Sequence, residues 1–189
     1  MVFFPMELLR YKINISKDEI ISRLNDNVGP KSFFNLSIHG KLFFGEVYEN
    51  RFKIMRNSAI QNSFRPIITG NIIENGVENI LEILMRPHFI VLIIMIIFLG
   101  FSGIVVPIIV FVTGFDTKQI AVSLLAILIA LLFLIISVAI FYSIMVLFFK
   151  FESRKSRNLL EELFEDKINL IEEEDNIMEI IMYVIKAQR

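Results

Sequence analysis

Six basic residues, Lys31, Lys41, Arg51, Lys53, Arg56 and Arg65, lie between positions 31 and 65 against only Glu46 and Glu49. Arg51 and Lys53 are two apart, so on a strand they share one side, with Phe52 and Ile54 opposite. Cations on one sheet face, beside aromatic rings and the amides of Asn57 and Asn62, have the chemistry to hold a nucleotide, a short oligonucleotide or lipid headgroups. The same pattern fits a solvated outer face close to an anionic membrane. The candidate anion site is Lys41, Arg51, Lys53, Arg56, Arg65 and Asn62. Other chemistry is sparse. The chain has no cysteine, which removes a disulfide framework, a thiolate ligand and a cysteine nucleophile together. His39 and His88 are its only imidazoles, too few for a histidine metal site. Glu161/Glu162 and the run Glu172 to Asp175 read as solvated faces, and no Gly-rich phosphate loop occurs. Neither a cofactor, a metal nor an enzymatic activity is expected.

The elements that would present these cations precede residue 87. Glu7 to Ile15 partly alternates polar and apolar residues, as a half-buried strand does. Ser16-Lys17-Asp18-Glu19 fits a capping box, and Ile20, Ile21 and Leu24 give the short helix an apolar stripe that Val28-Gly29-Pro30 terminates. Lys41 to Tyr48 and Arg51 to Met55 flank Glu49-Asn50, a two-residue hairpin connection. Ile67 to Ile73 meets Val77 to Met85 through Glu74-Asn75-Gly76, and Asn-Gly is a strong hairpin cue. An antiparallel meander of about four to six strands with one helix follows, its core supplied by Phe33, Phe34, Phe43, Phe44, Phe52 and Phe64.

The largest feature comes next. His88 to Phe115 and Ile120 to Phe149 are uncharged apolar runs separated by Asp116-Thr117-Lys118-Gln119, and each exceeds the roughly 20 residues that a bilayer core requires. They predict a transmembrane helical hairpin over 87–150, after a cytoplasmic β-rich domain over 1–86. Lys and Arg outnumber Asp and Glu by 11 to 9 in residues 1–86 and trail by 7 to 10 in 150–189. Arg86 precedes the first run, and Lys150, Arg154, Lys155 and Arg157 follow the second, which places both termini in the cytoplasm. MVFFPMELLRYK meets Arg10 and Lys12 too soon to be a signal peptide. Arg86-Pro87-His88 is a short joint that would couple the sheet stiffly to the first span. The alternative is that such connections are simply common.

Within the first run Gly100, Gly103 and Pro107 share one helical face, and Pro107 frees a carbonyl near its middle. Within the second, Ser123, Ala126, Ala130 and Ser137 form a small-residue stripe. These faces suit close packing against the other helix of the chain or against another subunit. So few polar groups cannot enclose water within one hairpin, so any pore requires an oligomer. Beyond Phe149 the polar KFESRKSRN reads as a helix leaving the bilayer. Leu159, Leu160, Leu163, Phe164, Ile168 and Ile171 then predict an amphipathic helix within 151–189. The terminal Glu179 to Lys186 is apolar enough to pack on the sheet or on a second copy, as helix or strand.

The run FFGEVYENRFKIMRNSAIQNSFRPIITGNIIENG, followed by MRPH and the first apolar run, resembles a recurring pattern in small uncharacterised bacterial two-transmembrane proteins with a cytoplasmic β domain. The resemblance covers roughly residues 41–165 and implies topology rather than activity. The architecture is also similar to membrane effectors of anti-phage systems of the CBASS or Hailong kind, a likeness that carries no ligand residues across. It implies an oligomeric inner-membrane channel or pore-forming protein, gated by a nucleotide or oligonucleotide on the β domain. The expected partners are membrane lipid, further copies of the chain and that anionic ligand. The alternative is an adaptor or lipid-sensing protein with a pleckstrin-like sheet and no pore.

Overall fold

The computed structural model describes residues 5–30, 40–58, 63–75, 78–114, 120–164, 167–174, 180 and 182–183. They fall into two compact units, one of Met1–His88 with Phe148–Arg189 and one of Phe89–Leu147. The first unit is built on a single seven-stranded sheet. In chain order come β1 (Glu7–Ile13), helix α1 (Lys17–Asn27), β2 (Val28–Gly29), β3 (Phe43–Val47), β4 (Arg51–Arg56), β5 (Ile67–Asn75) and β6 (Glu78–Arg86). Helices α2 (Phe89–Gly114) and α3 (Ile120–Leu163) follow, and then β7 (Ile168–Glu174). Spatial order is β2-β3-β4-β5-β6-β1-β7.

The antiparallel meander expected from the hairpin signals is β3 to β6. Tyr48 N–H donates to Arg51 O at 2.8 Å, closing the connection at Glu49-Asn50. Asn75 pairs with Glu78 in the next hairpin, whose Gly76 and Val77 lie outside the described residues, as do Phe33, Phe34, His39 and Asn62. The sheet corrects the sequence reading in two respects. It is mixed, because β2 runs parallel to β3, and it is wider than a meander, because β1 inserts between β6 and β7. Ile168 and Ile171 belong to β7 rather than to an amphipathic helix. A free strand edge attracts β-prone sequence, and the edge of β1 outweighs the helical spacing of those two residues.

Local chemistry explains the elements. Ser16 caps α1 by accepting the Glu19 N–H at 3.2 Å, while the Glu19 carboxylate turns to Arg23 at 2.9 Å and to Lys167 at 3.5 Å. On one face of the sheet lie Leu9, Tyr11, Ile13, Phe43, Phe52, Ile54, Ile68, Leu81 and Ile83. They join Ile20 and Leu24 of α1 and Phe149, Leu160 and Leu163 of α3, with Phe164 just beyond it, in one core. On the other face Leu8 and Leu84 pack with Ile180 and Tyr183 of the C-terminal segment. Of residues 179–186 only 180, 182 and 183 are described, all as helix.

Two glycines of the meander are fixed by close approach. Gly45 has φ +149°, and a Cβ there would meet Lys53 O at 2.2 Å. Gly70 lies directly opposite Phe52, and a Cβ on it would stand 2.1 Å from the Phe52 ring. The ring covers the glycine, a pairing that fills the space a side chain would take.

In the second unit Phe98 of α2 stacks on Phe141 of α3 at 4.1 Å between ring centroids. Among the described residues Ile127–Leu163 is long and apolar enough to cross a membrane, and its most apolar stretch is not buried inside the structure. Phe89–Ile104 is a shorter apolar stretch.

Replacing Gly70 by Ala should displace the Phe52 ring and lower the unfolding free energy by about 1–3 kcal/mol, the range for overpacking. Denaturant unfolding of the detergent-solubilised chain checks this, and an unchanged midpoint would show that the ring does not rest on Gly70.

Candidate functional site: a buried polar seam between sheet and helix

The end of α3 that belongs to the sheet unit carries Phe149, Ser153, Ser156, Leu160 and Leu163 at alternating steps of four and three. Such spacing places all five on one helical face. All five are buried. The two serines are small enough to let the helix lie close to the sheet, and each closes its own polar group. Ser156 Oγ donates to Glu152 O at 2.9 Å. Ser153 Oγ donates to Glu7 Oε2 at 2.5 Å and lies 3.1 Å from Met85 Sδ.

Beside this stripe the structure buries charge. Glu152, with a side chain only 6% exposed, accepts from the Arg56 guanidinium at the end of β4. Arg65, 3% exposed, donates from Nη1 to Arg56 O at 3.1 Å and stacks over the Phe44 ring at 5.7 Å. Burial and the neighbouring Arg56 hold Arg65 below the usual arginine range, with Glu152 opposing them. Arg56 Nε and Arg86 Nε are buried with no hydrogen-bond partner among the described residues.

A second group grips the helix one turn further on. Arg157 donates to Glu161 at 3.0 Å and to Glu173 of β7 at 2.9 Å. Burial disfavours the Arg157 charge, but those two hydrogen bonds outweigh it and hold the guanidinium above its usual range. Tyr11 of β1 donates to Glu161 at 3.0 Å, and burial raises its phenol well above the usual value. On the opposite sheet face Asn71 donates to the Tyr183 hydroxyl at 2.7 Å, and burial pushes that phenol up to about 12.

The cations singled out from sequence separate into two environments. Arg51 and Lys53 stand exposed on the sheet, opposite Asn71 and Thr69, with Phe52 and Ile54 buried behind them. Arg51 lies over the Tyr48 ring at 5.2 Å, and Lys41 donates to Asp26 O at 2.7 Å. Arg56 and Arg65 are in the seam, not beside Arg51. At the joint Arg86 ends β6, Pro87 is buried and His88 is half-buried.

Gly100 and Gly103 are exposed on α2, where an added Cβ would meet nothing within 4 Å. The helix continues through Pro107. Ser123 and Ala126 lie on α3, as do the half-buried Ala130 and Ser137. Among the described residues no group of His, Asp or Glu is placed to hold a metal ion.

The helix continues through KFESRKSRN as its sequence predicts, and within that polar run Glu152, Ser153 and Ser156 are buried. The signal was present in the four-three spacing of Phe149, Ser153, Ser156 and Leu160, which two serines disguise as a polar run. Glu7 carried no such signal, since a carboxylate on a strand is ordinarily solvent-facing. No protein-family model matches the chain, and no curated protein or solved structure matches it either.

Removing one partner of a buried ion pair leaves the other charge uncompensated, at a cost of about 3–5 kcal/mol. Glu152→Ala should therefore lower stability by about that amount. Glu49→Ala, which removes an exposed carboxylate 3.8 Å from Lys17, should change it by less than about 0.5 kcal/mol. Equal effects in denaturant unfolding would refute the seam's energetic weight.

Proposed function

We propose that this chain is an oligomeric effector of the bacterial inner membrane. In this reading α2 and α3 form a transmembrane hairpin, both termini are cytoplasmic, and an anionic ligand on the sheet unit controls ion flux through assembled hairpins. The observation that carries it is the continuity of α3. One helix of 44 residues contains both the stretch able to cross a membrane and the buried stripe that completes the sheet core. The continuous helix gives a change in the sheet unit a covalent route to the apolar stretch.

The ligand surface of this proposal is smaller than the six residues picked from sequence. Arg51 and Lys53 offer exposed cations beside Tyr48 and Asn71, whereas Lys41 is turned to the Asp26 carbonyl near the end of α1. A nucleotide or short oligonucleotide would use its phosphates on those cations and a base against Tyr48. Gly100, Gly103, Ala130 and Ser137 would serve helix association between copies, where close approach is the main attraction in lipid.

A second reading has one observation in its favour. Arg56 and Arg65 are committed to the seam, which leaves few cations for a discrete ligand and suits an adaptor that reads anionic lipid headgroups without a pore.

Reconstitution separates the two. The effector reading expects an oligomer in mild detergent and dye release from loaded vesicles, with release reduced at least several-fold by bulky substitutions at Gly100 and Gly103. A monomer that leaves vesicles sealed and binds anionic lipid equally well after those substitutions would establish the adaptor instead.

A further inference from the structure

Glu7 is 9% exposed, and among the described residues its side chain has one hydrogen bond, to Ser153 Oγ, a neutral donor on α3. It makes no ion pair among the described residues, in contrast to Glu152, which has Arg56. The charged groups around it come from two elements, Lys150 and Arg157 from α3 and Glu173 from β7, while β6 presents Met85, which does not titrate. A carboxyl in such a place is costly to ionise and inexpensive to bury neutral. The contact it makes joins the first strand of the sheet to the helix that leads to the apolar span, residues 146 apart in the chain.

We propose that Glu7 and Ser153 form a protonation-sensitive latch between β1 and α3. With the Glu7 carboxyl neutral, its burial between β1 and α3 costs little and the helix is held on the sheet; when the proton leaves to solvent, the cost of keeping a carboxylate from water exceeds what the Ser153 hydrogen bond returns, and the hold weakens. Burial, the largest influence, raises Glu7 above the usual carboxylate range. The Ser153 hydrogen bond opposes this, Glu173 adds to it, and Lys150 and Arg157 counteract. The sign follows from linkage. A carboxyl raised in the folded state contributes stability that is complete below its unfolded value, near 4.5, and is lost as pH rises through the raised folded value. Acidification on the side of the sheet unit thus tightens the joint, and alkaline conditions loosen it. The latch is independent of whether the hairpins conduct, so its failure would leave the effector proposal standing.

Hydrogen exchange of residues 150–157 in the full chain, corrected for the intrinsic pH dependence of exchange, tests the latch between about pH 5 and about pH 8. Opening of this segment should increase with pH by roughly tenfold for each unit by which Glu7 is raised. Glu7→Gln, a neutral carboxyl mimic of the same shape, should abolish that dependence and hold the low-pH level of protection throughout. Equal protection across the range in the unaltered protein, or an unchanged slope in Glu7→Gln, would overturn the proposal. Infrared spectroscopy of the unaltered chain needs no variant. A protonated-carboxyl band that disappears across the same range supports the latch, and the absence of such a band at the acidic end contradicts it.

Discussion

The structure depends on burying the stripe Phe149, Ser153, Ser156, Leu160 and Leu163 of α3 against the sheet. A seven-stranded sheet presents one broad apolar face here, and α1, with Ile20 and Leu24, covers only part of it. The end of α3 supplies the rest. The sheet unit is consequently not complete in the first 88 residues, since its core closes only after the chain has passed through both apolar helices. Each fully buried aliphatic or aromatic side chain contributes about 1.5–3 kcal/mol, so the stripe outweighs any single polar contact in the seam.

The seam adds specificity to that attraction. Apolar packing is tolerant of small slides along a helix, whereas a buried arginine that must meet one carboxylate is not. Arg56 from β4, Glu7 and Tyr11 from β1 and Glu173 from β7 each engage a different position on the helix, at Glu152, Ser153, Glu161 and Arg157 respectively. Sliding α3 by one residue would break all four at once. Three strands that are far apart in sequence thereby fix one register for this end of α3. Outside the seam, a pair such as Lys12 with Glu78 is open to solvent on both sides and contributes little.

How far this could be read from residues follows the range of the signals. The Ser16 cap, the Glu49-Asn50 turn and the Phe52/Ile54 alternation are local, and the meander was legible from them. The place of β1 between β6 and β7 was not, because strand order among distant segments leaves no local mark. Ile168 and Ile171 fit a helical stripe as well as a strand, and only the edge of β1 decides between the two. The seam was half legible. Arg56 and Arg65 stood out as cations, but charge alone does not distinguish a ligand surface from an internal ion pair, and Glu152, the partner of Arg56, lay in a polar run whose sequence shows only a helix leaving the bilayer. Ser153 and Ser156 are visible as part of the stripe only when small residues count as apolar positions.

The central claim is that α3 passes unbroken from its apolar stretch into the sheet core. With no native cysteine, single cysteines can be placed at each of residues 144–156 and spin-labelled without background. Label mobility along this scan should follow one helical period throughout, with minima continuing through Phe149, Ser153 and Ser156 in phase with those before Leu147. Loss of that period between Leu147 and Glu152, or a change of phase there, would mean a hinge separates the two stretches and would contradict the account.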